Sequence, residues 1–309
     1  MPSFLLQVTR LGFGGLGAVA PGLAGSLAFS LFCRTPSRRP AGAKARQTFA
    51  EGEARLAGAE RIAIGTNKGE VMTYRLKGAP AARRVLVVHG WGSRAEYLSA
   101  LAAGLHEVGL EVVVLDLPGH GRSYGRTLDM RMAAEAIAAT EAQLGPFDAA
   151  VGHSFGGAAL MTAAGGIFPG AGHIVAPKLA VIGAPSEIIE VFRDFSAMLR
   201  LSPVVQHRLV AHAERVAGIP LRDFDTIDVA RRLGRPMLVV HAEDDKEVGA
   251  HHARRYDGLG DHVRLLWANG HGHRRIVSAP EVIEAVAGFV LDEDAGDMPG
   301  TVSVGGRLS

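Results

Sequence analysis

Six short apolar runs recur between residues 85 and 266, and they constrain the fold more than any other feature. They are Val85-Leu-Val-Val88, Val112-Val-Val-Leu115, Ala149-Ala-Val151, Leu179-Ala-Val-Ile182, Met237-Leu-Val-Val240 and Val263-Arg-Leu-Leu266. Continuous β-branched runs without polar alternation indicate strands covered on both faces. Ala-rich stretches at 95–108, 129–144 and 156–165 lie between them and read as helices. Repeated alternation of this kind calls for a mostly parallel, doubly wound sheet. In such sheets ligands sit beyond the carboxyl ends of the strands, so the residues just after each run are the informative ones. Upstream, 60–65 and 70–76 flank Asn67-Lys68-Gly69, the pattern of a hairpin. About fifty residues separate Ala184 from Arg235, with helical patterns near 186–200 and 203–217. An insertion of that length predicts a small cap over the carboxyl edge of the sheet.

A chain of 309 residues accommodates one large α/β domain or two smaller ones. With 33 basic and 31 acidic side chains there is no electrostatic case for nucleic acid as a partner. The 40 glycines are about twice the usual share of roughly 7%, yet too aperiodic for a fibrous chain. Cys33 is the only cysteine, which excludes an internal disulfide framework; it reads as a small buried apolar residue. No charged residue occurs between Arg10 and Arg34, a length that can span a bilayer. Its glycines and Pro21 make it a weak helix former, and no A-x-A cleavage site follows it. The favoured expectation is a cytoplasmic protein whose N-terminal segment packs on the domain or lies on a membrane surface. A true span, with Arg34, Arg38 and Arg39 as its cytoplasmic flank, is the alternative. The expected organisation is an N-terminal apolar segment and linker (1–58), a main domain (59–292) with a cap insertion at about 186–234, and a C-terminal tail (293–309).

Gly152-His153-Ser154-Phe155-Gly156-Gly157 follows the run ending at Val151 and precedes a helical stretch. A sharp strand-to-helix turn strains the serine's backbone, and flanking glycines relieve the crowding. The hydroxyl would stand clear of the sheet at a helix N-terminus, where negative charge is favoured. His89-Gly90-Trp91-Gly92 follows an earlier run. The backbone N–H groups of Trp91 and Phe155 are candidate oxyanion donors, a role that typically contributes about 3–4 kcal/mol per donor. Asp116-Leu-Pro-Gly-His-Gly-Arg-Ser123 suits a tight loop, with Asp116 bracing it. A serine hydroxyl needs a base, and the base needs an orienting acid. Acid candidates Asp244 and Asp245 follow the run ending at Val240, and base candidates His271 and His273 follow the last run. The order Ser, Asp, His is the one expected of a nucleophile elbow on such a sheet. His251-His252 and the 241–247 cluster lack the spacing of a metal motif such as H-E-x-x-H, so neither a metal nor a cofactor is expected.

These motifs, HGWG at 89–92, DLPGHGRS at 116–123, GHSFGG at 152–157 and the late DD with GHGHRRI, resemble the α/β-hydrolase superfamily over residues 60–291. The nearest resemblance is to bacterial members of the serine-nucleophile branch with a short cap and an undefined substrate. It implies an α/β-hydrolase fold with a helical cap, Ser154 as nucleophile, and Trp91 and Phe155 as oxyanion donors. The family's D-x-x-V pattern selects Asp245 ahead of Val248, with Asp244 as runner-up. Its G-x-G-H pattern implies His273, with His271 as runner-up. Dehalogenase and epoxide hydrolase branches carry a carboxylate where this chain has Ser154 and are disfavoured. The implied activity is cleavage of a small-molecule carboxylic ester or thioester. An acyltransferase using the same residues and a low-turnover ligand-binding protein are the alternatives. Val191, Phe192, Phe195, Met198 and Leu199 in the cap suit either an apolar acyl pocket or internal packing.

Overall fold

The computed structural model describes residues 4–292 and 302–304, and these fall into two compact units. The larger comprises Thr35–Ser186 together with the chain from Thr226 onward. Its nine-stranded sheet contains β1 (Glu60–Thr66), β2 (Gly69–Leu76), β3 (Arg84–Val88), β4 (Glu111–Leu115), β5 (Ala149–His153), β6 (Lys178–Ile182), β7 (Met237–His241), β8 (Val263–Ala268) and β9 (Val302–Val304). The spatial order is β1-β2-β4-β3-β5-β6-β7-β8-β9. β2 runs antiparallel to β1 and β4, and every other pairing is parallel. All six apolar runs form strands, and the hairpin forms with Thr66 opposite Gly69.

The sequence pattern explains this arrangement. Every residue of β4, β5 and β7 is buried, as continuous apolar runs require when helices cover both faces. Each such Val or Leu contributes roughly 1.5–3 kcal/mol by leaving water. The helix Met130–Leu144 starts where Asp129 accepts the Met132 N–H at 2.8 Å, an N-cap that satisfies an otherwise unpaired donor. The strand order places the site. β3 is flanked by β4 on one side and β5 on the other, so the chain reverses its direction of travel there and a crevice opens beyond the strand ends.

The smaller unit comprises Met1–Arg34 and Glu187–Asp225. Its helices are Phe4–Val19, Pro21–Phe32, Ile188–Leu199 and Pro203–Ala217, with a 3₁₀ turn at Leu221–Phe224. Helix Pro203–Ala217 is bounded by the Ser202 cap, with Pro203 in its first turn, and by Gly218 in the left-handed conformation. Phe192 stacks on Phe32 at 4.4 Å, and Phe195 meets Phe32 edge-on at 5.2 Å. Two of the apolar cap residues are thus engaged in packing within this unit, and Cys33 is buried as expected.

The boundaries differ from those expected. The segment 1–58 divides at Arg34, because the first two helices cluster with the cap and the helix Gly42–Arg55 with the sheet. A Cβ on Gly52 would lie 2.1 Å from the Glu96 carbonyl oxygen, so that helix needs a glycine to sit where it does. The cap ends at Asp225, not near 234. Helix Thr226–Leu233 belongs with the sheet unit: Ile227, Val229 and Ala230 are buried, and Arg232 donates to the Gly165 carbonyl at 3.0 Å. The expected tail, 293–309, lies outside the described residues apart from Val302–Val304.

Candidate active site

Ser154 joins β5 to the helix Phe155–Ala164 with φ 53° and ψ −126°, a conformation costly for any residue with a Cβ. The turn is held by the Ser154 N–H, which donates to the Ile182 carbonyl at 2.8 Å, and by the Ser154 carbonyl, which accepts the Gly157 N–H at 2.9 Å. A Cβ on Gly156 would lie 2.4 Å from the His89 carbonyl oxygen, so only glycine allows the helix to start this close to the loop after β3. Gly90 in that loop abuts the serine in turn: a Cβ there would lie 2.7 Å from the Ser154 Cβ. The two loops meet because β3 and β5 are neighbours at the switch point.

Asp245 follows β7 and His273 follows β8. His273 Nδ1 is 2.7 Å from Asp245 Oδ2, and His273 Nε2 is 2.9 Å from Ser154 Oγ. The other Asp245 oxygen accepts the Glu247 and Val248 N–H groups at 2.8 and 2.9 Å. Burial pushes the Asp245 carboxyl up, but the His273 bond and these two N–H groups outweigh it and hold the carboxyl below its ordinary value. An ionised carboxylate only accepts, so His273 Nδ1 carries the proton and Nε2 offers a lone pair to the Ser154 hydroxyl. The runners-up lie elsewhere. His271 pairs with Glu281, and Asp244 accepts the Gly270 N–H at 2.9 Å. His252, considered above for metal binding, accepts the Ser186 N–H at its Nδ1 at 3.1 Å.

Three buried histidines brace the site, a role that sequence reasoning missed. His153 Nε2 donates to the His273 carbonyl at 2.9 Å, and its ring lies 4.9 Å from the His273 ring. His89 Nδ1 donates to the Gly90 carbonyl at 2.7 Å, while its Nε2 accepts the Leu117 N–H at 3.0 Å. His120 Nδ1 donates to the Pro118 carbonyl and its Nε2 accepts the Gly92 N–H, both at 3.0 Å. Burial, foremost, lowers His89 and His153 to about 4 and His120 to about 3. Each is therefore neutral near pH 7; His89 and His120 each donate one hydrogen bond and accept one, whereas the buried His153 Nδ1 has no partner among the described residues. A histidine inside each of the three glycine-rich motifs was the available signal. Trp91 is part-exposed, with its ring edge-on to Phe155 at 5.7 Å and to His120 at 5.5 Å. Asp116 is fully buried and braces its loop as expected, accepting the Ala95 and Arg122 N–H groups at 2.8 and 2.9 Å.

Comparison with known proteins gives the same fold. The profile of the Alpha/beta hydrolase family matches residues 85–286. Est1E from Butyrivibrio proteoclasticus is 19% identical, with a TM-score of 0.57 over 75% of this chain and 97% of its own. The Pyrococcus furiosus esterase Pf2001 is 15% identical, with a TM-score of 0.57 over 83% of this chain and 95% of its own. A membrane phospholipase A described as a bacterial virulence factor is 20% identical, with a TM-score of 0.57 over 91% of this chain and 96% of its own. No curated protein matches the sequence.

Proposed function

The chain belongs to the alpha/beta hydrolase family, and from that premise we propose that it is a serine hydrolase cleaving a carboxylic ester or thioester through an acyl-enzyme on Ser154. The observation that carries this reading is the continuous hydrogen-bonded series from Asp245 through His273 to the Ser154 hydroxyl. As the hydroxyl attacks the carbonyl carbon, His273 Nε2 takes its proton and Asp245 stabilises the resulting imidazolium. The tetrahedral oxyanion accepts hydrogen bonds from the Trp91 and Phe155 N–H groups, and the helix that begins at Phe155 adds a favourable dipole. His273 returns the proton to the leaving alcohol or thiol, leaving the acyl group on Ser154. Water, deprotonated by the same imidazole, then releases the acid. The esterases among the structural neighbours support an ester over a peptide substrate.

A fluorophosphonate probe tests the nucleophile. We expect labelling of the wild type at Ser154 and none in Ser154→Ala. Turnover of p-nitrophenyl esters should fall by roughly 10⁵-fold or more in that variant. A folded wild type that stays unlabelled would remove the reading.

A further inference from the structure

The N-terminal helices have an inner face fitted to protein and an outer face that stays exposed among the described residues. Gly17 and Gly25 mark the inner side. A Cβ on Gly25 would lie 2.6 Å from the Arg208 Cβ, and one on Gly17 would lie 2.7 Å from a Val205 methyl. Ala24 and Ala28 are buried on the same side. Arg10, the one charged residue in helix Phe4–Val19, donates to the Met198 carbonyl at 2.9 Å through Nε and 2.7 Å through Nη2. That guanidinium is turned onto the cap, at the end of helix Ile188–Leu199, where a cation is favoured.

What remains outside is apolar. Leu11 is 76% exposed, Val19 87%, Leu23 55% and Leu27 46%, and the exposed positions between them are mostly glycine and alanine. Isolated exposed leucines are ordinary in a water-soluble protein, but two consecutive helices with uncharged outer faces are not. The charge of the surrounding chain is also one-sided. Residues 1–50 contain Arg10, Arg34, Arg38, Arg39, Lys44 and Arg46 and no acidic residue, whereas the remainder carries 27 basic and 31 acidic side chains. No helix among the described residues is long and apolar enough to cross a membrane.

We propose that the outer faces of helices Phe4–Val19 and Pro21–Phe32 settle on an anionic lipid surface, with Leu11, Val19, Leu23 and Leu27 entering the boundary between headgroups and acyl chains. Helices that lie in the plane of an interface bind through buried apolar area together with attraction of flanking cations to anionic lipid. The outer leucines supply the first term. Arg34, Arg39, Lys44 and Arg46, which follow directly along the chain, supply the second. This inference is independent of the hydrolytic reading, because its readout is partition and not turnover.

The test is co-sedimentation of the full-length protein with vesicles of phosphatidylcholine alone and of phosphatidylcholine mixed with phosphatidylglycerol. Binding is expected to the mixed vesicles, to weaken with added salt and to be much poorer to phosphatidylcholine. Triple substitution Leu11→Asp, Leu23→Asp and Leu27→Asp should lower the partition roughly tenfold or more. Arg39→Glu with Lys44→Glu, outside both helices, should lower it without touching the apolar face. Circular dichroism spectra and urea-unfolding midpoints of the variants matching the wild type would show that they are folded. Failure of the wild type to sediment with mixed vesicles, or equal binding to both kinds, would overturn the proposal. So would a concentration-dependent dimer that the leucine substitutions dissolve, since the face would then belong to a second copy.

Discussion

The two units invert the usual distribution of side chains in opposite ways. The sheet unit buries charged and titratable groups: His89, Asp116, His120, His153, Asp245 and His273 all lie near its carboxyl edge with little or no exposure. In the cap unit Ser196 is the one buried polar side chain among the described residues, and eight of the twelve exposed large hydrophobics belong there. A buried polar group has a cost unless it is hydrogen-bonded, and here one atom of the cluster, His153 Nδ1, is left without a partner among the described residues, so the cluster marks a place where chemistry outweighs stability. An exposed apolar face likewise marks a place where the chain is matched to something other than water. The same residue-burial statistics thus point to a reaction in one unit and to a surface in the other.

The comparison can be broken most forcefully at the base and acid. If the buried series is catalytic, His273→Ala should lower kcat/KM by roughly 10⁵-fold, and Asp245→Asn by roughly 10⁴-fold, while His271→Ala and Asp244→Asn stay near wild type. The reverse pattern in ester turnover would assign the chemistry to the wrong members of each pair.

A smaller effect concerns acid stability. An unfolded histidine takes up a proton near pH 6.5, whereas burial first of all keeps folded His89 and His153 neutral down to about 4 and His120 to about 3. The folded state therefore binds fewer protons in this window, and stability is complete above 6.5 and declines toward 4. The slope is about 1.4 kcal/mol per pH unit for each histidine. Asp245 acts in a lower window. Its carboxyl is held below the ordinary value, so its contribution is present above that value and is lost only as pH falls through the depressed one. Urea unfolding at pH 7 and pH 5 should show the decline, and His153→Asn should flatten it by about one proton. A slope unchanged in that variant would mean that His153 does not titrate as its burial demands.

The smallest effects sharpen the contrast within the cap. Gly25→Ala places a methyl 2.6 Å from the Arg208 Cβ and 2.7 Å from its carbonyl carbon. Despite the better helix propensity of alanine, it should destabilise the protein by about 1–3 kcal/mol in thermal or urea unfolding. Leu11→Ser, on the outer face, should change stability by no more than about 0.5 kcal/mol. Equal costs at the two positions would show that the face taken as outer is packed.

Much of this protein was legible from local sequence. The six apolar runs became β3 to β8 because burial on both faces demands a continuous apolar strand, and that demand is written residue by residue. Ser154 was legible for a similar reason: a strained turn between strand and helix tolerates few residues around it besides glycine. Other features depend on which distant segments meet, and no local pattern encodes that. Asp245 over Asp244 and His273 over His271 required the family resemblance, since both members of each pair follow the right strand; the fold turns only one of each into the series with Ser154. The bracing by His89, His120 and His153 became visible only when loops from β3, β4, β5 and β8 converged. The N-terminal helices joined the cap because Gly17 and Gly25 admit close approach by residues more than 180 positions away. Periodicity and turn chemistry act over a few residues, so the sequence by itself determined the strands and the elbow. Packing and hydrogen bonding act across the whole chain, so only the tertiary structure decided the partners.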